Sequence, residues 1–536
     1  MRYLADGSQM KGADQYTIQE VGIPSLELME RAAQACVRVM EKEGLDLSKP
    51  CVVCGSGNNG GDGFAIARLL LQKDHVPAVW FVGNDGHCTG ETSWQRKRFL
   101  EIGGEICNEY REDEYSIIID AVFGVGLNRK AEGRYGAVLE QMNRAPGVKF
   151  AVDLPSGVSA DTGNVPGAAF RADVTVTFQL EKLGLVLYPG REYAGRIYVE
   201  DIGIRTERLA KDPKRIYVCD QADYREMLPV RRADSHKGTY GKLLVIAGSK
   251  GMSGAAFLNG KAAYLSGAGL VRIYTPEENR VILQQLLPEA IITTYTDFRE
   301  EELDGLLSWA DAVCIGSGIG TGETAGKILK TTLERAAVPC LVDADGLNLL
   351  AEFAVDRNLP GSQAGLSGRD FKVEESRQEP KPDTRQLVLT PHMKEMSRLL
   401  HGSVEELKAD RLNLLKDYAD SRNVTCVLKD SRTMVASRDE GICVNRSGNA
   451  SMAKAGSGDV LAGIIAGLLA QGLKSHTAAV LGVYLHGRAG DYAQAAKGSY
   501  SVMAQDLLLY LSEAFKETDK KPEAGDEELQ QSLCED

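Results

Sequence analysis

The 536-residue chain has no apolar run long enough to cross a membrane. Its most apolar helix-like stretch, Val460–Ala470, falls far short of the roughly 20 residues that a span requires. The opening MRYLADGSQMKGADQ has no basic region followed by an apolar one, which points away from a secretory signal. Basic residues are in deficit, 62 Lys and Arg against 75 Asp and Glu, and a net charge of −13 argues against nucleic acid or an anionic membrane as the main partner. Anionic small ligands remain open, because helix N-termini and backbone N–H groups bind phosphate whatever the overall charge. A disulfide framework is also missing: the 11 cysteines are odd in number and scattered through strand-like and helix-like stretches. Cys51 and Cys54 make a CxxC pair, but CVVC reads as a strand, where positions i and i+3 face opposite ways. Buried, reduced thiols and a cytoplasmic location are therefore expected.

What is present is the balance of a globular protein, 43% hydrophobic and 26% charged, long enough for two to four domains. Two regions alternate short β-branched runs with helical patterns, the mark of α/β domains with parallel sheets covered by helices. In the first, Cys51–Cys54, Ala78–Val82, Ser116–Asp120, Lys149–Val152 and Val174–Phe178 read as strands. In the second, Lys242–Ala247, Leu270–Tyr274, Ala312–Ile315, Cys340–Val342, Leu387–Leu389 and Thr425–Leu428 do so. The charged, weakly patterned stretch Arg205–Arg232 separates them. Asp356–Gln386 mixes Gly, Ser, Pro and charge without a period and reads as an exposed insertion. Lys516–Asp536 reads as an acidic tail.

In the first region, Gly55-Ser56-Gly57-Asn58-Asn59-Gly60-Gly61-Asp62-Gly63 follows a strand and opens a helix over Phe64–Gln72. Its glycines admit a ligand close to the backbone, and the helix N-terminus favours an anion. The string also satisfies G-x-G-x-x-G, but the acid that should close the second strand in a dinucleotide-binding dehydrogenase is missing, since Asp85 lies late and beyond a glycine. Asp120 ends a strand before the glycine loop Phe123-Gly124-Val125-Gly126-Leu127. Asp153 ends another before Leu154-Pro155-Ser156-Gly157. Ligands of open α/β sheets bind outside the carboxyl ends of the strands. There Asn59, Asp120 and Ser156 can surround a hard monovalent cation, with Asp153 nearby as a general base. Any single aspartate of this set also fits a turn former or a helix cap.

In the second region, Ala455-Gly456-Ser457-Gly458-Asp459 leads into the apolar helix Val460–Ala470. A glycine turn at a helix N-terminus presents N–H groups to a transferring phosphoryl group, and Asp459 in the first turn is placed to take a proton from an attacking hydroxyl. A simple capping role is the alternative for Asp459. Other strand ends carry Gly248–Ala255, Gly316-Ser317-Gly318-Ile319-Gly320, Thr390-Pro391-His392 with Glu395 a turn later, and Lys429, which suits a nucleotide phosphate.

The GSGNNGGDG, DAVFGVGL, DLPSGV and PSLELMERAA segments resemble the NAD(P)H-hydrate epimerase family over residues 1–215. The resemblance implies a Rossmann-like three-layer αβα domain that binds the hydrated dinucleotide through Asn58, Asn59, Gly60, Gly61, Asp62, Gly124, Val125, Gly126, Leu127, Asn128, Arg129, Lys130 and Asp153. It also implies K+ held by Asn59, Asp120 and Ser156. Asn128-Arg129-Lys130 departs from the shorter Arg-Gly run that related loops often carry. Residues 225–515 resemble the ADP/ATP-dependent NAD(P)H-hydrate dehydratase branch of the ribokinase-like superfamily, through Ser235-His236-Lys237-Gly238, GSGIG, Asp343-Ala344-Asp345, TPH and AGSGD. Here the resemblance implies a ribokinase-like αβα domain in which Ala255, Gly318, His392 and Asp459 contact the hydrate. Lys429, Asp430, Ser431, Arg432, Thr433 and Gly458 would contact the adenine nucleotide. Gly448-Asn449-Ala450-Ser451-Met452 lacks the proline of a common Gly-Asn-Pro-Gly-Met form. The family implies ADP as co-substrate with ATP as the alternative, Mg2+ for the dehydratase, and a homo-oligomer. The chemistry implied is epimerisation of NADHX and NADPHX followed by dehydration to NAD(P)H, AMP and phosphate. A small-molecule kinase of vitamin or sugar type, a non-enzymatic binding scaffold and a dehydrogenase are the rival readings.

Overall fold

The computed structural model describes residues 1–107, 110–111, 114–126, 130–355 and 386–520. The chain divides into two compact units between Ile216 and Tyr217, with Met1 and Arg2 belonging to the second. Among the described residues no helix is long and apolar enough to cross a membrane.

The first unit is built on parallel strands β1 (Pro50–Cys54), β2 (Ala78–Phe81), β3 (Ile106–Cys107), β4 (Ile117–Ala121), β5 (Val148–Val152), β6 (Val174–Phe178) and β7 (Arg196–Glu200), in the order β3-β2-β1-β4-β5-β6-β7. The order reverses between β1 and β4, the point at which doubly wound sheets bind ligands. Strands β1, β4 and β6 are buried throughout, as continuous Val/Ile runs predict for strands covered on both faces. Cys51 packs on one face with Ile118, Leu139 and Met142, and Cys54 on the other with Phe64 and Ile66. The ten described cysteines are all free thiols.

Helices α1 (Gly7–Tyr16), α2 (Ser25–Lys42), α3 (Asn58–Gln72) and α4 (Gly90–Glu101) belong to this unit. Helix α3 begins six residues earlier than its apolar pattern suggests, so Asn58 to Gly63 form its first turns. The reason is packing: a Cβ on Gly60 would stand 1.9 Å from Gly55 O, and one on Gly61 would meet Met29 Cε at 2.7 Å. Glycine here lets a helix start against the loop behind it, which outweighs its poor helix propensity.

The second unit holds β8 (Lys242–Ile246), β9 (Leu270–Pro276), β10 (Ile291–Tyr295), β11 (Ala312–Ile315), β12 (Cys340–Val342), β13 (Leu387–Leu389), β14 (Thr425–Leu428), β15 (Met434–Ser437) and β16 (Gly441–Val444). They run β10-β9-β8-β11-β12-β13-β14-β15-β16, parallel as far as β14 and antiparallel beyond it. Helices α5 (Ser253–Leu265) and α6 (Ser457–Ala470) pack together, and α6 is buried from Val460 to Ala470. Helix α7 covers Ser475–Lys497. The expected acidic tail begins too early: Lys516–Asp519 complete a helix over Ala504–Asp519 whose buried face includes Leu511, Ala514 and Thr518. Of the expected insertion, residues 356–385 lie outside the described residues.

Candidate active sites

In the first unit, residues following β1, β4, β5 and β6 line a cavity of about 600 Å3. Asn58, Asn59, Asp62, Gly124, Val125, Gly126 and Asp153 all take part in that lining. Gly60 and Gly61 serve the packing described above. Lys130 is exposed, 3.7 Å from Glu132 Oε1, and is not part of the lining. Leu127, Asn128 and Arg129 lie outside the described residues.

Asp153 adopts φ of 68°, a left-handed conformation that Asp tolerates better than most residues. Its Oδ1 is 2.6 Å from Lys182 Nζ and accepts a 3.2 Å hydrogen bond from Thr177 Oγ1. Lys182 is itself buried and donates to Phe178 O at 2.8 Å. A Cβ on Gly124 would stand 3.3 Å from Asn59 Oδ1 and 3.4 Å from Asp153 Oδ2, so these two side chains flank one glycine. Asn59 Nδ2 is buried without a hydrogen-bond partner.

Asp120 is fully buried. Its Oδ1 accepts from Ser156 Oγ at 2.7 Å and from Val122 N at 3.2 Å, and its Oδ2 accepts from Ser156 N at 2.7 Å. Burial pushes this carboxyl up to about 6, against the pull of those hydrogen bonds. A buried carboxylate with no cation beside it is costly. Ser156 Oγ, besides donating to Asp120, accepts from Phe123 N at 2.8 Å. Asp85 pairs with Arg96 on the surface, far from a ribose-binding role.

The second unit gathers its charges at strand ends. Gly456, at φ of 89°, precedes α6 in a left-handed conformation that glycine adopts without strain, and Ser457, Gly458 and Asp459 are the first three helical residues. Their N–H groups lack intrahelical partners. Lys429, after β14, donates from Nζ to Asp343 Oδ1 at 2.8 Å and would lie 3.4 Å from a Cβ on Gly458. Thr390 Oγ1 donates to the same Asp343 oxygen at 2.7 Å, and Ser317 Oγ donates to its Oδ2 at 3.3 Å. Burial and then the charge of Asp343 push Asp459 up to about 6, while Lys429 and the Ser317 hydroxyl pull it back. For Lys429 burial works downward, but Asp343, Glu395 and Asp459 outweigh it and hold the ammonium above its ordinary value.

Asn259 of α5 donates to Asp459 O at 2.7 Å, fixing the turn that carries the carboxylate. His486 of α7 lies 3.3 Å from Ser457 Oγ, and burial pushes its imidazole down to about 4, so it is neutral beside that turn. His392 caps the helix Met393–Leu399: its Nδ1 accepts from Glu395 N at 3.0 Å, and its Nε2 stands 3.5 Å from Glu395 Oε1. Gly318 and Ala255 touch, a Cβ on the former standing 3.0 Å from the Ala255 Cβ. In the loop between β14 and β15, Asp430 pairs with Arg411, Thr433 Oγ1 donates to Asp430 O, and Arg432 donates to Arg446 O. Ser431 N donates to Asp430 Oδ1. Among the described residues no group of three or more His, Cys, Asp or Glu side chains forms a metal cage.

Sequence reasoning singled out neither Asp14, Thr177 and Lys182 in the first unit nor Asn259 and His486 in the second. It gave no role to Ser317, Asp343 or Thr390, although it quoted their motifs. Lys182 had a usable signal, standing four residues past the end of β6. His486 and Asn259 lie inside helices with nothing local to mark them.

A family model described as YjeF-related protein N-terminus matches residues 25–184, and one described as NAD(P)H-hydrate dehydratase matches residues 243–360 and 369–513. The bifunctional NAD(P)H-hydrate repair enzyme Nnr of Moorella thermoacetica is 36% identical over 97% of this chain and 98% of its own. Its Escherichia coli counterpart is 35% identical over 91% of this chain and 89% of its own. A solved ADP/ATP-dependent NAD(P)H-hydrate dehydratase from Bacillus subtilis, co-crystallized with ATP/Mg2+, is 28% identical with a TM-score of 0.45, covering 56% of this chain and 98% of that one.

Proposed function

We infer two linked activities from one premise: the chain belongs to the family of bifunctional NAD(P)H-hydrate repair enzymes. It interconverts the epimers of hydrated NADH and NADPH and dehydrates the hydrate back to working cofactor. Epimerisation is assigned to residues 1–215 and dehydration to residues 225–515. ADP is the assigned co-substrate and the cytoplasm the assigned compartment.

The observation that carries the dehydratase reading is Asp459 in the first turn of α6, beside Lys429 and the N–H groups of Gly458 and Asp459 that have no intrahelical partner. Water added across the enamine of a dihydronicotinamide leaves a hydroxyl on the carbon bonded to the ring nitrogen. Asp459 takes the proton of that hydroxyl, and the oxygen attacks the terminal phosphoryl of ADP, with AMP leaving. The α6 N-terminus, Gly458 and Lys429 stabilise the charge on the transferred group. Phosphate then departs from carbon with help from the ring nitrogen, and loss of a proton from the adjacent carbon restores the double bond. Mg2+, entering with the nucleotide, would supply neutralisation of phosphate charge. Ala255, Gly318 and His392 hold the hydrate, and Lys429 to Thr433 hold the nucleotide.

In the first unit, Asp153 is the base and Asn59 Nδ2 is a donor left for the substrate. Asn59, Asp120 and Ser156 would hold K+, whose charge stabilises the ionised Asp120. Given the S hydrate and ADP, the purified chain should release AMP and phosphate one for one with the returning absorbance of reduced nicotinamide. A stable phosphorylated product would instead identify a small-molecule kinase.

A further inference from the structure

The cavity of the first unit holds more acid than the reading above uses. Asp14 on α1, Asp62 on α3 and Asp153 after β5 all line it, and Lys182 is a buried cation among them. The ammonium is committed to one carboxylate: Lys182 Nζ is 2.6 Å from Asp153 Oδ1, which Thr177 also bonds. No hydrogen bond or ion pair with another described residue engages the carboxyl oxygens of Asp14. In such unequal surroundings Asp14, the carboxyl with no partner, is the one placed to carry a proton to the substrate.

We propose that Asp14 is the general acid that works opposite Asp153 in the epimerisation. This rests on the epimerase reading and names a residue that lies before the family match at 25–184. The substrate is a carbinolamine, whose epimers interconvert by ring opening. Asp153 takes the hydroxyl proton, the carbonyl forms as the carbon–nitrogen bond breaks, and the electron pair passes to the ring nitrogen. Asp14 gives that nitrogen a proton. Rotation of the freed aldehyde exposes its other face, and the reverse transfers close the ring as the other epimer with both carboxyl groups restored.

The electrostatics support these roles. Burial, and then the charge of Asp153, push Asp14 up to about 6 against the pull of Lys182. The groups facing Asp14 are Lys182 and Asp153 from the strand ends and Asp62 from α3. Lys11 on its own helix, His87 and Tyr135 complete the titratable lining. Asp62 is itself pushed well up by burial, then by Asp153 and Asp14, so it adds little charge of its own.

An acid must be protonated to act, so kcat/KM for epimerisation by the native chain falls as pH rises through about 6. The test compares the full chain with Asp14→Asn and Asp14→Glu across pH, with dehydration of the purified S epimer by ADP as the internal control. The native-to-Asn ratio in epimerisation should be on the order of 100-fold below pH 6 and shrink about tenfold per pH unit above it. Asp14→Glu should restore part of the rate, and all three chains should dehydrate the S epimer equally. A ratio that stays flat with pH, or an Asn variant with native rate, overturns the role of Asp14 alone. Failure of the native chain to epimerise at all overturns the epimerase reading with it.

Discussion

Lys429 Nζ stands 2.8 Å from Asp343 Oδ1 and 3.4 Å from where a Gly458 Cβ would lie, so one ammonium ties the end of β12 to the turn that carries Asp459. Its charge pulls the Asp459 carboxyl down, against burial and the charge of Asp343, which push it up to about 6. Asp459 acts as a base only when ionised. Dehydration should therefore rise with pH through about 6 and then level. Lys429→Met removes the pull, so the rise should move to higher pH; a pH profile of kcat/KM on the S epimer checks this, and an unmoved profile would contradict it.

Asp459→Asn should lower dehydration at least on the order of 100-fold, the usual loss when a general base is removed, while epimerisation stays native. Chromatographic separation of the two epimers over time, beside phosphate release, reads both activities in one sample. Equal loss of both would mean that the two sites are not separate.

Potassium held at the buried Asp120, as proposed, would be a pH-dependent stabiliser. The folded value of Asp120, about 6, lies above the ordinary 3.8, so its contribution to stability is complete at low pH and is lost as pH rises through about 6. A bound cation reverses that loss. Melting curves should show a larger gain from K+ at pH 7.5 than at pH 5, a difference that Asp120→Asn abolishes. A gain independent of pH would separate potassium from this carboxylate.

Gly60 tests the early start of α3. An alanine Cβ there would stand 1.9 Å from Gly55 O, a backbone atom that cannot step aside. Gly60→Ala should destabilise the first unit by about 3 kcal/mol, at the upper end of overpacking costs. Urea unfolding followed by hydrogen exchange of the first unit would measure it.

Most of the sheet framework was legible because buried parallel strands need unbroken β-branched runs on both faces. Ile117–Ala121 and Ala312–Ile315 are such runs. Arg196–Glu200 and Ile291–Tyr295 escaped notice because each ends its sheet's run of strands, and partial solvation there lets polar residues break the pattern. The paired strands Met434–Ser437 and Gly441–Val444 are buried, but the charged turn Arg438-Asp439-Glu440 between them breaks the apolar run. Asp153 and Asp459 were visible because strand ends and helix starts mark them locally. Asp14 was not, since its significance comes from a cavity assembled by segments more than 100 residues apart, and Lys182 had only its place four residues past a strand end to mark it.

The most direct measurement supplies an equal mixture of the two hydrate epimers with ADP, K+ and Mg2+ and follows the absorbance of reduced nicotinamide to completion. The native chain should convert the whole mixture in one sustained phase. Asp153→Asn should convert half quickly and the remainder at the slow spontaneous rate. A native chain that stops at half, or that restores no absorbance with any adenine nucleotide, would contradict a repair enzyme with two cooperating sites.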